Sequence, residues 1–238
     1  MRVMLSLWVA CLCACTSPSD PGACSQRVAL ANTPDFSGAC AEAQVDWTDA
    51  RCLDTSWSMP ACGTTTVLDG GDFGASHIAL PTPITYTDDP PMSGSHRAQW
   101  PNWGEFGFVP KQRWLHSLEH GGIAILYHPC ASADLIDALR SWAQNMPADE
   151  GGPFRWVMTP YPGLDSAFSL VTWRHRLKGN CYDAAAMNAF SAAHYRKATE
   201  DAYIDGGYTC AWIGKDCGSS ASPDAGATAD GMASLDAR

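Results

Sequence analysis

The chemistry in this chain is carried by histidines and one glutamate. Residues 115–122 read LHSLEHGG, which sets His116, Glu119 and His120 in one short stretch closed by two glycines. Histidines four apart share a side of either regular structure. On a helix they differ by about 40° around the axis, and on a strand both point to one face. His116 and His120 can therefore converge on one ion whichever element carries them. Glu119 joins them on a helix and faces away from them on a strand. Upstream, His77 opens HIALP and His96 closes PPMSGSH. The expected metal ligands are His77, His96, His116 and His120, because neutral imidazole suits copper, zinc, nickel or iron. Met92 lies close to His96 in sequence, and a thioether favours Cu(I). Copper also tops the divalent affinity order, so copper is favoured over zinc as the cofactor.

Three other readings compete. His-x-x-Glu-His is also a metalloprotease pattern, with the glutamate as base. It needs a helix, which Pro110 could open but Gly121-Gly122 stops at once. No later helix offers an obvious glutamate ligand. A second reading makes Glu119 and His120, beside His116, the acid and base of an envelope enzyme with an unknown substrate. A third makes the cluster a polar network in a structural or interaction lipoprotein. His128 before Pro129 and His194 on an apolar helix side read as structural, and His175 as facing the other side of the sheet. Trp100, Trp103 and Trp114 could wall a pocket. No Gly-rich phosphate loop and no Gly-x-Ser-x-Gly elbow is present.

With its context the pattern becomes more specific. Pro90, Pro91, Ser93, Gly94 and His96 form PP-x-SG-x-H; His116, Leu118, Glu119, His120, Gly121 and Gly122 form H-x-LEHGG. In both motifs the chain resembles a bacterial family known as domain of unknown function 3105. Met92 and Ser95 stand where the family pattern carries threonine and proline. The resemblance runs from His77 to about residue 198 and includes the PGLD turn. It implies a shared fold and a shared site, and brings no established activity with it.

The elements that must position these residues follow from periodicity. GIAILYH (122–128) and FRWVMT (154–159) read as strands, and AFSLVTWRHR (167–176) as one more. A helix starts at Ser132, with Leu135, Ile136, Leu139, Trp142, Ala143 and Met146 on one face, and stops before Pro147. A second runs from Asp183 to about Ala198. ITYT (84–87) reads as a short strand. The expected fold is α+β: a small mixed β-sheet with two helices covering one face, plus a disulfide-stapled, loop-rich N-terminal segment.

The chain opens MRVMLSLWVACLCACTSPSD. Arg2 and a short apolar run match a secretory leader and fall well below the about 20 residues a spanning helix needs. Leu12-Cys13-Ala14-Cys15 resembles a lipoprotein cleavage site, so Cys15 is the expected lipidated residue. A lipid anchor is the expected membrane partner, and Thr16, in place of an aspartate, favours the outer membrane. Eight of the 11 cysteines remain beyond the leader: Cys24, Cys40, Cys52, Cys62, Cys130, Cys181, Cys210 and Cys217. None forms Cys-x-x-Cys, and an even number in an exported chain predicts disulfides. The expected pairing joins neighbours: Cys24–Cys40, Cys52–Cys62, Cys130–Cys181 and Cys210–Cys217. The net charge of −10 argues against nucleic acid as a partner. The predicted divisions are a leader (1–14), a lipidated tether (15–23), a Cys-rich segment (24–65), the α+β domain (66–217) and a disordered tail (218–238).

Overall fold

The computed structural model describes residues 56–215 together with Cys40 and Cys52. The leader, Cys15 with its tether, Cys24, Cys217 and the tail lie outside the described residues, as does most of 24–55. No described helix is long and apolar enough to cross a membrane.

The fold is α+β, as expected, around one mixed seven-stranded sheet. Its strands are β1 (Thr66–Asp69), β2 (Gly104–Phe106), β3 (Ile123–Tyr127), β4 (Trp156–Pro160), β5 (Phe168–Thr172), β6 (His175–Gly179) and β7 (Trp212–Gly214). They lie in the order β1-β6-β5-β3-β4-β2-β7. The helices are α1 (Lys111–Glu119), α2 (Ala133–Asn145) and α3 (Ala184–His194).

The unbroken apolar run of β3 is explained by burial on both faces. Ile123, Ile125 and Tyr127 pack with Leu135 and Leu139 of α2 and with Met187 and Phe190 of α3. Ala124 and Leu126 turn the other way, into a second core with Trp114, Leu115 and Leu118 of α1. Each fully buried Leu, Ile or Phe side chain contributes roughly 1.5–3 kcal/mol. Ser132 caps α2 by accepting from Leu135 N–H (3.4 Å), and Asp183 caps α3 by accepting from Ala186 N–H (3.0 Å). Because α2 carries the chain back, β3 and β4 run parallel.

Four details differ from the sequence expectation. The two expected helices share one face, and α1 adds a third on the opposite face. The segment 167–176 is not one strand: Trp173 and Arg174 turn it into the β5–β6 hairpin, with Thr172 opposite His175. Arg174 adopts φ 68° there, a left-handed turn that no glycine or asparagine announces. The segment 84–87 is not a strand. Finally, α3 ends at His194, because Arg196 takes φ 60° and its N–H turns to the Gly121 carbonyl (3.0 Å).

The cysteines pair across the chain rather than with their neighbours. The bonds are Cys40–Cys210, Cys52–Cys130 and Cys62–Cys181, closing separations of 170, 78 and 119 residues. All four expected pairs are thereby overturned, since each includes at least one of these bonded cysteines. The reason is spatial: every bond ties the segment before β1 to the sheet domain. Cys130 precedes α2 and Cys181 precedes α3, so two of the staples fasten that segment where these helices begin, and the third joins it at Cys210, just before β7.

Candidate metal centre

Three segments bring the cluster together. His77 and His96 meet in an isolated parallel β-bridge, with Ile78 N–H donating to His96 O (2.8 Å) and His96 N–H to Ser76 O (3.0 Å). The turn before His96 is stitched to the segment before His77. Ser93 Oγ donates to Gly71 O (2.7 Å) and accepts from Phe73 N–H (3.1 Å), and Gly94, at φ 120°, donates to Gly74 O (2.9 Å). His116 and Glu119 come from α1, three residues apart and so on one side of the helix. One ligand atom each from His77, His96, His116 and Glu119 all lie within 4.8 Å of one another. Ligands held at about 2.0–2.2 Å from one ion stand roughly 3.3–4.4 Å apart, a spacing close to that of this group.

The hydrogen bonds set which ring nitrogens are available. His96 Nδ1 bonds to Gly94 O (2.9 Å) and His116 Nδ1 to Arg97 O (2.7 Å). A carbonyl only accepts, so each Nδ1 keeps the proton and each neutral ring leaves Nε2 bare. Burial, reinforced by the neighbouring histidines, pushes His96 down to about 4 and His116 to about 3. Both rings are therefore neutral at pH 7. Glu119 Oε2 stands 2.9 Å from His96 Nε2 and 3.9 Å from His116 Nε2. His96 Nε2 and Glu119 Oε2 are both buried and neither makes a hydrogen bond among the described residues. Two acceptors so placed repel unless a cation sits between them. A proton or a metal ion meets that need, and burial together with nearby Glu200 raises the Glu119 pKa accordingly.

The cluster is open on one side. His96, His116 and Glu119 are buried while His77 is exposed. Trp100 lies against both His116 and His120, at centroid distances of 4.4 and 4.2 Å, and walls the site. Trp103 and Trp114 are instead fully buried core residues. His120 ends α1 beside His116, their Nε2 atoms 3.0 Å apart, and lies outside the four-way group. Burial lowers its pKa too. Arg155 holds the turn by donating from Nη1 to His120 O (2.9 Å) and to Asp201 Oδ1 (2.5 Å). Met92 packs over Gly70 in the core around Trp103. His128 stacks on Trp57 (4.0 Å) and accepts from Cys130 N–H (3.1 Å). His175 stacks on His194 (3.9 Å), so the two share a side of the sheet, contrary to expectation.

Sequence reasoning assigned Glu119 an acid–base role and missed its place among the ligand atoms; its i, i+3 spacing from His116 was the available signal. Thr199 and Glu200 were missed altogether. Thr199 Oγ1 donates to Glu119 Oε1 (3.2 Å), and Glu200 N–H donates to Glu119 O (3.0 Å).

A family model described as "Protein of unknown function (DUF3105)" matches residues 77–209. The chain belongs to this family. No curated protein and no solved structure matches it. The DUF3105 region begins at His77 itself and includes every residue of the cluster, with Thr199 and Glu200.

Proposed function

We propose that this DUF3105 chain binds a divalent transition metal through His77, His96, His116 and Glu119, for metal handling or redox chemistry at the cell envelope. One observation carries the reading: four ligand atoms lie within 4.8 Å of one another, and two buried ones among them, His96 Nε2 and Glu119 Oε2, stand 2.9 Å apart with no hydrogen bond among the described residues, a pair that repels unless a proton or an ion lies between them. A bound ion turns that repulsion into two bonds. Three imidazoles and a carboxylate suit copper(II), zinc, nickel or iron, and copper(II) leads by the general affinity order. The exposed His77 gives the ion a route to solvent, which suits exchange or reaction better than a closed structural site. The three disulfides fit an exported chain, and lipidation at Cys15 would anchor it to the outer membrane.

The test is elemental analysis of full-length protein purified without an affinity tag or chelator, followed by melting with added copper(II) or zinc(II). The reading expects close to one ion per chain. An ion at 1,000 times its Kd adds about 4 kcal/mol of stability, so the melting temperature rises. Protein that carries no metal, and whose melting neither ion shifts, overturns it.

The acid–base reading has one observation in its favour, the raised pKa of Glu119 next to two histidines. It predicts an activity that survives chelation, whereas the metal reading predicts loss.

A further inference from the structure

The four-ligand group leaves His120 unexplained, and its surroundings define a role. His120 Nε2 and His116 Nε2 are hydrogen-bonded at 3.0 Å. Because the Arg97 carbonyl keeps the His116 proton on Nδ1, His120 is the donor in this pair and carries its own proton on Nε2. That bond occupies the lone pair an ion needs from His116. It also leaves His120 Nδ1 bare. This atom is buried, has no hydrogen-bond partner among the described residues, and stands 3.5 Å from Glu200 Oε2. A bare nitrogen facing a carboxylate is unfavourable. The opposite tautomer, with the proton on Nδ1, makes a charge-assisted hydrogen bond of the same contact.

Both partners are held in place for this exchange. The His120 ring lies against Trp100 (4.2 Å) and, nearly parallel at 16°, beside His116 (4.8 Å). Glu200 is delivered by its own N–H, which bonds to the main chain of Glu119 (3.0 Å). The segment that steadies one ligand thus presents a carboxylate to the next residue in the chain.

We propose that His120 and Glu200 form a carboxylate–histidine arm that completes the metal centre. The inference rests on the metal reading above. The arriving ion takes the His116 lone pair and displaces the His120 N–H. The ring proton leaves Nε2 to solvent and one is taken up at Nδ1, so the ring stays neutral. Nδ1–H then donates to Glu200, and the bared Nε2 becomes a fifth donor. Glu200 never touches the ion; it is a positioning residue that selects the tautomer, as outer-shell carboxylates do for metal-bound histidines.

The experiment is copper(II) and zinc(II) titration of full-length wild type, Glu200→Gln, His120→Ala and the double variant, with nitrogen NMR of the zinc form. Removing the arm's carboxylate or its ring is expected to weaken binding about 10–100-fold. The double variant should bind no more weakly than His120→Ala alone. Zinc should shift the His120 proton from Nε2 to Nδ1 in wild type but not in Glu200→Gln. Glu200 is largely exposed, so its variant folds and keeps the test decisive even if His120→Ala does not. Unchanged affinity in Glu200→Gln, equal weakening by Glu200→Gln when His120 is already absent, or an unmoved tautomer overturns the arm while leaving the metal reading standing. Wild type that binds neither ion overturns both.

Discussion

His116 Nδ1 and the Arg97 carbonyl are joined by a 2.7 Å hydrogen bond, so a main-chain group outside α1 decides which nitrogen of a helical side chain is free. The Gly94 carbonyl does the same for His96. The site is thus preorganised by backbone, and losing one imidazole cannot be made good by rotating another. His96→Ala and His116→Ala are each expected to lose the bound ion, a larger loss than the about 10–100-fold that removing an outer-shell partner costs. Elemental analysis checks this, with circular dichroism to confirm that the fold persists. Wild-type metal content in both variants would refute the assignment.

At a pH below the point where Glu119 ionises in the free protein, metal binding should release a proton. Glu119 holds its proton more readily than an ordinary carboxyl group because it is buried near Glu200. An ion beside Oε2 expels that proton, so affinity rises with pH until Glu119 is ionised in the free protein. Calorimetry in buffers of different ionisation enthalpy measures the release directly. Glu119→Gln should abolish it, and should bind more weakly.

The metal-free protein should be acid-sensitive in a defined window. An unfolded histidine titrates near 6.5, whereas folded His96 titrates near 4 and His116 near 3. Between those values the unfolded chain takes up protons that the folded chain refuses. The stability these two groups contribute is therefore whole above pH 6.5 and is lost as pH falls through the window. Glu119 acts in the opposite sense, because its raised pKa favours the folded state at low pH, and it offsets part of the loss. Melting temperature against pH should fall on the acid side for wild type and fall less steeply for the His96→Ala, His116→Ala double variant.

Gly122 permits α1 to approach β3. A Cβ there would lie 2.5 Å from the Trp103 ring and 2.9 Å from the Ser117 carbonyl. One contact is backbone and the other a fully buried indole, so neither yields easily. Gly122→Ala is expected to cost about 1–3 kcal/mol. Denaturant unfolding measures the loss, and an unchanged midpoint would contradict this packing.

What could be read from sequence followed local chemistry. Strand β3, the Ser132 and Asp183 helix starts, and the gathering of His77, His96 and His116 follow from residue type and spacing, whereas the fourth ligand atom of the group belongs to Glu119 and not to the expected His120. The β5–β6 hairpin was hidden because Arg174 supplies a left-handed turn at a position with no conformational signature. Thr199 and Glu200 reach Glu119 only because Arg196 breaks from helix geometry and bonds to Gly121, an event with no periodicity to betray it. The disulfides were misread for a related reason. Cysteines near one another in sequence are not partners in this fold, where the bonded ones are 78 to 170 residues apart.

The two outermost strands, β1 and β7, fall outside residues 77–209. A fragment cut to the family boundaries would leave β6 and β2 with bare amide and carbonyl rows along both rims of the sheet. Such rims recruit other chains. Self-association of that fragment would then reflect the missing border strands, and would say nothing about how many copies of the intact protein assemble.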